Sequence, residues 1–445
     1  MKNIEVLKKG MIILISLLFN VWCVAQSTNL LNSNGTQADS LSLNIIMDQV
    51  LNNNPMIKEL TENINNSDLK IELAKTSYLP NVEASTLYSR MSPNPTITFP
   101  TGSIQFYPDN SFDAHIGVNQ LIYDFGKTKT NISLQQAGKE ISELSVEQAK
   151  QRLSITTAVY FYSLLYLQEA EKIKAEQLST LKKHLDFVTK KLETGSAIKY
   201  ELVTTKVKIS SVENQLTEII NNKDVQIINL NLLLGQPDYF FTVKDNLQND
   251  FKFLPIDSLF RMASLNRDEM QIAKKKEEQA QWNIKYAETF NKPSINFAAN
   301  AGFKNGYQPE VEKLKGNYFV GLGARVPLFD ANRTKINLQI QNSNLQANQF
   351  ETENVDRTIM HEVSVNYSTL LISQKKIEQF KLQLEQAEEA YALAETNYQF
   401  GTITNLDLLD AASMLAESKL LLLKANIDRQ INIVKLSASA GLRIY

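Results

Sequence analysis

The stretch NYQFGTITNLDLLDAA, at residues 397–412, decides the fold because the chain contains it twice in similar form. Its counterpart is KLETGSAIKYELVTTK at residues 191–206, an offset of 206 residues. LIYDFGKTKTNI at 121–132 matches PLFDANRTKINL at 327–338 at that same offset. Ungapped matches at one fixed offset indicate an internal repeat, so the two halves hold segments of equal length.

Each copy predicts a long helix, a glycine turn and a shorter returning helix. From Phe125 to Thr194 there is no proline, and the matching stretch 331–400 has neither proline nor glycine. About seventy helical residues at 1.5 Å each span roughly 105 Å. Gly195 and Gly401 end these stretches and suit the left-handed turn that closes a helix. Apolar residues then recur at three- and four-residue steps, which predicts coiled-coil-like packing. The core of an ordinary helical bundle shows the same spacing, but a compact domain does not contain so long a helix.

Four short runs alternate between apolar and polar residues and predict strands at about 81–90, 112–122, 294–303 and 317–328. Each run has roughly ten residues, the length of a strand that crosses a bilayer in a barrel. A soluble, half-buried sheet shows the same alternation, but aromatic residues near the strand ends and small polar residues on one face favour a membrane barrel. Because four strands cannot close a barrel in lipid, two, three or four chains would have to contribute to one barrel.

The N-terminus predicts an exported protein. Residues 1–25 place lysines before a short apolar run and read as a secretory signal peptide cleaved after Ala25. Lipidation of Cys23 is the alternative, but Trp22 stands where a lipoprotein signal has a small residue. The polar residues 26–40 predict a flexible N-terminal segment.

The repeat sets the remaining domain bounds. We expect the first repeat at 41–237, with its helical tip near residue 195. The second repeat is expected at 257–441, with its tip near residue 401, and a linker at 238–256 joins the two. The fold class is therefore mainly α with a small β part, built from two tandem copies of a long helical hairpin and a β-hairpin.

The composition excludes several classes of protein. The 445 residues carry 46 Lys and Arg against 48 Asp and Glu, so no attraction to nucleic acid is expected. One cysteine excludes a disulfide scaffold, and a mean hydropathy of −0.24 excludes a polytopic helical membrane protein. The three histidines lack metal-ligand spacing, and no catalytic or phosphate-binding motif is present. We therefore expect neither an enzyme nor a bound cofactor.

The order helix, two strands, long helix, glycine turn and return helix occurs twice and resembles the TolC-type outer-membrane efflux protein family. VPLFDANR at 326–333 is similar to the family's strand-to-helix junction, and NYQFGTITNLDLLDA at 397–411 is similar to its periplasmic tip. The resemblance covers residues 41–441. It implies a trimer whose strands, four from each chain, form a 12-stranded outer-membrane β-barrel continued by a periplasmic α-helical barrel.

The resemblance also implies a tunnel entrance and gate at the two tips, formed by Gly195, Glu201, Tyr398, Gly401, Asp407 and Asp410. Asp407 and Asp410 match the acidic pair that rings the entrance, while Tyr398 and Glu201 match residues that hold the tip closed. The family's basic gate residue aligns with Ile403, so closure is expected to rest on other contacts. As an alternative, both aspartates suit the positive end of a helix, where each contributes about 0.3–1 kcal/mol.

The function implied by the resemblance is a passive exit duct of a tripartite efflux pump or a type I secretion system. The duct would lie in the outer membrane of a Gram-negative bacterium, among its lipids, and extend into the periplasm. A homotrimer would work with a periplasmic adaptor (membrane fusion) protein and an inner-membrane transporter, without nucleic acid. The alternative is a periplasmic coiled-coil adaptor or structural protein, and the helical content disfavours a self-contained porin.

Overall fold

The computed structural model describes residues 39–445, except 238, 246, 248–250 and 252. The expected signal peptide, Cys23 and most of the expected flexible segment lie outside the described residues. The described chain divides into two units.

The smaller unit contains residues 39–41 and 240–242. Strand β1 (Asp39–Leu41) pairs with β6 (Phe241–Val243) in a two-stranded sheet. Residues 39 and 40 of the expected flexible segment therefore lie in a strand, and the expected linker contains another strand. The sequence missed both strands because three residues are too few to show an alternating pattern.

The larger unit is dominated by helices, which are α1 (Leu43–Asn53), α2 (Pro55–Lys75), α3 (Lys127–Glu193), α4 (Lys199–Leu234), α5 (Ile256–Asn266), α6 (Asp268–Glu288), α7 (Arg333–Gln399) and α8 (Asn405–Ser439). The two long helices, α3 and α7, have 67 residues each, or about 100 Å at 1.5 Å per residue. Both ends of α7 lie 206 positions after those of α3, so the repeat is kept to the residue. Within the described part of the chain, no helix is long and apolar enough to cross a membrane.

Each long helix forms a hairpin with the helix that follows it. Helix α3 packs along α4, α7 packs along α8, α3 also packs on α8, and α6 packs on both long helices. Buried apolar residues from α5 to α8 form one core cluster, which includes Leu259, Met270, Val363, Leu370 and Leu436. Burying such side chains stabilises the fold by about 1.5–3 kcal/mol each.

The main sheet has four antiparallel strands in the order β2–β5–β7–β8, with bounds Asn81–Arg90, Asn110–Tyr123, Ser294–Lys304 and Lys315–Arg325. Strand β8 ends three residues before the expected end at 328, because Pro327 has no N–H to donate to a ladder. The loop after β2 contains a small hairpin, β3 (Thr96–Phe99) and β4 (Gly102–Gln105), that the sequence did not predict. Strands β2 and β8 are open edges in the single chain.

Both long helices begin at the same kind of turn after a strand. The Asp124 carboxylate accepts the Thr128 N–H at 2.7 Å, and the Asp330 carboxylate accepts the Thr334 N–H at 2.8 Å. The residue after each aspartate has a left-handed backbone, with φ of 54° at Phe125 and 55° at Ala331. The aspartates bind N–H groups that have no partner within the helix, so this motif redirects the chain from a strand into a helix.

The C-terminal residues are tied to α3 and α6. Arg443 binds both carboxylate oxygens of Asp268, at 2.6 and 2.8 Å, although the Asp268 side chain is only 4% exposed. The Tyr445 hydroxyl donates to Glu147 at 2.7 Å. A bidentate bond of this kind fixes orientation as well as charge, so the chain end is held in one place.

Candidate functional site

The two hairpins turn at Gly195 and Gly401, whose φ values are 73° and 74°. At each turn an N–H reaches back five residues, from Ser196 to the Lys191 carbonyl at 2.7 Å and from Thr402 to the Asn397 carbonyl at 3.0 Å. This bond closes the end of a helix and places glycine at the left-handed position. The tips of both repeats therefore have the same backbone and differ only in side chains.

Tyr398 joins the tip of the second repeat to the first. It lies in the last turn of α7, is 5% exposed, and donates its hydroxyl to the Glu201 carboxylate at the start of α4, at 2.9 Å. Burial and the carboxylate both raise the pKa of Tyr398 above its ordinary value, so the hydroxyl keeps its proton. Lys191 Nζ lies 4.7 Å from the centre of the Tyr398 ring. The structure thus brings two of the expected gate residues together.

Asn405 is a second link between the repeats, which the sequence analysis missed. Its amide, 4% exposed at the start of α8, donates to the Glu201 carbonyl at 3.3 Å and to the hydroxyls of Thr204 and Thr205 at 3.2 Å. Its carbonyl oxygen lies 2.6 Å from Nε2 of His184 on α3. The repeat gave no signal, because Lys199 occupies the matching position in the first copy.

The two aspartates have different environments. Asp407 forms a capping box with Thr404: its carboxylate accepts the Thr404 N–H at 2.9 Å and the Thr404 hydroxyl at 2.7 Å. These bonds lower the pKa of Asp407. Asp410 is exposed and makes no hydrogen bond or ion pair within the described part of the chain. The alternative interpretation, in which an aspartate stabilises the start of a helix, therefore applies to Asp407. Both carboxylates are nevertheless accessible to solvent.

Below the turns, the tips are held by a small apolar cluster of Leu181, Ile209, Val212 and Leu409 from α3, α4 and α8. Ile403 is half-buried in the turn and supplies no cation, and the cation over the Tyr398 ring is Lys191 on the other hairpin. Among the described residues, no group of three or more His, Cys, Asp or Glu side chains is placed to hold a metal ion. The expected gate residues thus lie at a contact between the two hairpins.

The sequence profile described as "Outer membrane efflux protein" matches residues 46–236 and 259–442. The chain belongs to this family. Outer membrane protein TolC of Escherichia coli (strain K12) is 20% identical over 346 residues, which cover 75% of this chain and 70% of that protein. The alkaline protease secretion protein AprF of Pseudomonas aeruginosa is 19% identical over 382 residues, 84% of this chain and 77% of that protein. The crystal structure of the Campylobacter jejuni CmeC outer membrane channel superposes with a TM-score of 0.75 at 19% identity, covering 90% of this chain and 85% of that one.

Family membership confirms the fold class, the outer-membrane location and the function as an exit duct for efflux or secretion. Members of this family are transport conduits and not enzymes, and TolC-like channels are trimeric and act with adaptors and inner-membrane transporters. The interpretation as a periplasmic adaptor is correspondingly disfavoured.

Proposed function

We propose that three copies of this chain form the duct and that the helical tips are its periplasmic gate. The hydrogen bond from Tyr398 to Glu201 carries this proposal, because it joins the end of α7 to the start of α4. A tunnel that ends at these tips opens only if the two hairpins move apart, and that movement breaks this bond. Gly195 and Gly401 supply the turns that bring the two partners together.

The unpaired edges of the single chain support a barrel shared between several chains. Among the described residues, strands β2 and β8 have no partner on their outer sides, and lipid does not permit such unpaired backbone groups. If β8 of one protomer pairs with β2 of the next, three copies close one barrel. Helices α4 and α7 also expose apolar side chains, among them Tyr200 and Val207 on α4 and Leu382 and Leu393 on α7. Contact between α4 and a neighbouring α7 would bury these residues.

Closure without a basic residue at position 403 rests on Lys191. Its Nζ lies over the rings of Tyr398 and Phe187, at 4.7 and 5.0 Å. A cation over an aromatic face contributes about 0.5–1 kcal/mol at an exposed site. Lys191 comes from α3, so it holds the second hairpin to the first as a salt bridge would.

The entrance is acidic in this arrangement. Asp410 has no partner within the described residues and Asp407 is exposed, so both are available to an ion passing the tip. Three copies bring six carboxylates to the narrow end of the tunnel, and a ring of carboxylates favours cations. The partners are a periplasmic adaptor and an inner-membrane transporter, and the secretion role in the name of AprF extends the candidate cargo from small molecules to proteins.

The gate is tested with Tyr398→Phe in planar-bilayer recordings of the purified trimer. A hydrogen bond to a charged acceptor stabilises its state by about 1.5–3 kcal/mol, so the open fraction should rise at least tenfold. The matched control is Tyr391→Phe, on the same helix, because the Tyr391 hydroxyl makes no hydrogen bond within the described part of the chain. An equal open fraction in the two variants would show that Tyr398 does not hold the gate.

A further inference from the structure

The main sheet has one apolar and one polar face. Val82, Val118, Ala299 and Val320 form a register row that is apolar across all four strands. In a barrel within lipid, such a face points outward and the opposite face lines the pore. The inference below rests on this orientation, which belongs to the function proposed above.

One row on the polar face is charged. Leu87, Asp113, Lys304 and Lys315 are register partners across the sheet, close to the loops that join β2 to β5 and β7 to β8. Lys304 Nζ lies 3.3 Å from the Asp113 carboxylate. The row therefore places two cations and one anion on the proposed pore wall.

Lys304 and Lys315 stand directly opposite each other on adjacent strands. Like charges at such positions destabilise a sheet, so packing alone does not explain the pair. Within the row, only the Asp113 carboxylate offsets the charge of the two lysines. The carboxylate 3.8 Å from Lys315 Nζ belongs to Glu310, which lies in the loop and not in the row. Glu310 also lies 3.5 Å from Lys313 and is itself 56% exposed. The row keeps an excess positive charge that is available to solutes.

We propose that Lys304 and Lys315 are specificity-determining residues of the duct, which draw anionic solutes through the barrel. Three copies repeat the row around the pore, so the lysines form a ring. The ring is opposite in sign to the acidic tip, and a solute meets the acidic entrance first and the basic ring last.

The test measures the ratio of chloride to potassium permeability in planar bilayers under a low-salt gradient, using the full-length trimer. One charge at about 7 Å in water changes an ion's energy by about one RT, a factor of about three. Lys304→Gln with Lys315→Gln should therefore lower the ratio about threefold or more, whereas Lys304→Arg with Lys315→Arg should preserve it. The control is Lys313→Gln, which removes one positive charge per chain from the neighbouring loop. An unchanged ratio in the Gln variant, or an equal change in the control, would overturn the proposal.

Failure of the proposed function would look different from either of these outcomes, because a chain that is not a duct would give no channels in any of these recordings.

Discussion

Replacing Asn405 by alanine is the sharpest test of how the tip is held. The change removes an amide that reaches the Glu201 carbonyl and the hydroxyls of Thr204 and Thr205, and it leaves Nε2 of His184 without its partner at 2.6 Å. Because the Asn405 side chain is almost fully buried, water cannot reach its partners and replace these hydrogen bonds in the closed state. We expect the closed state to lose stability while the hairpins themselves stay folded.

The size of the effect follows from the distances. The three bonds from the Asn405 amide are long, at 3.2 to 3.3 Å, and share two hydrogens, so they count as two bonds at most. Thr204 and Thr205 also donate to helix carbonyls, so they keep partners in the variant. With about 0.5–1.5 kcal/mol for each hydrogen bond, including the short one to His184, the loss is about 2 kcal/mol. That energy corresponds to a roughly 30-fold rise in the ratio of open to closed channels.

Single-channel recordings of Asn405→Ala give this ratio directly. Asn426→Ala is the matched control: Asn426 also lies on α8, but its amide donates only to the Leu422 carbonyl of its own helix, at 2.9 Å. The control should open no more than the wild type. If both variants open equally, the effect comes from a loosened helix, and if neither opens, Asn405 does not hold the tip.

Three further outcomes are expected. Asp407→Ala combined with Asp410→Ala should lower cation selectivity in planar bilayers, because six carboxylates leave the entrance of a trimer; unchanged selectivity would leave Asp407 as a helix cap alone. The pKa of Tyr398 is raised in the closed state. Its contribution to the stability of the closed state is therefore complete below the ordinary tyrosine pKa of about 10, and it is lost as the pH rises toward the raised pKa. Alkaline solution should therefore open the wild type but not Tyr398→Phe in recordings at stepwise higher pH. Arg443→Met leaves a buried carboxylate on α6 unpaired and should lower the dissociation temperature of the trimer by more than Arg357→Met, whose ion pair is exposed.

The long helices were predictable because their signal is long. Two stretches of 67 residues without proline, at a fixed offset, are compatible with no regular structure other than a helix. Gly195 and Gly401 mark where each helix ends. The four main strands were also visible, because ten alternating residues suffice to show a period of two. Strands of three or four residues, such as β1, β3 and β6, carry no such pattern and were missed.

The site was predictable only in part, because its partners come from different repeats. Tyr398 and Glu201 were identified through resemblance, and the structure places them 2.9 Å apart. His184 and Asn405 carry no motif: one is a histidine near the C-terminal end of a long helix, and the other is an asparagine at a helix start. Their importance lies in a contact across 221 positions in sequence, which no local pattern records.

The equal length of the two repeats and their unequal side chains have separate consequences. Helices α3 and α7 both have 67 residues, so the two turns can meet at one level. At that level the contact is one-sided: Tyr398 bonds Glu201, but the matching pair in the repeat is Leu192 and Asp407, which cannot form the same bond. The repeat therefore keeps the level of the two turns and does not keep the bond between them. Loss of Tyr398 should loosen the contact between the end of α7 and the start of α4, because the other copy of the pair supplies no equivalent hydrogen bond.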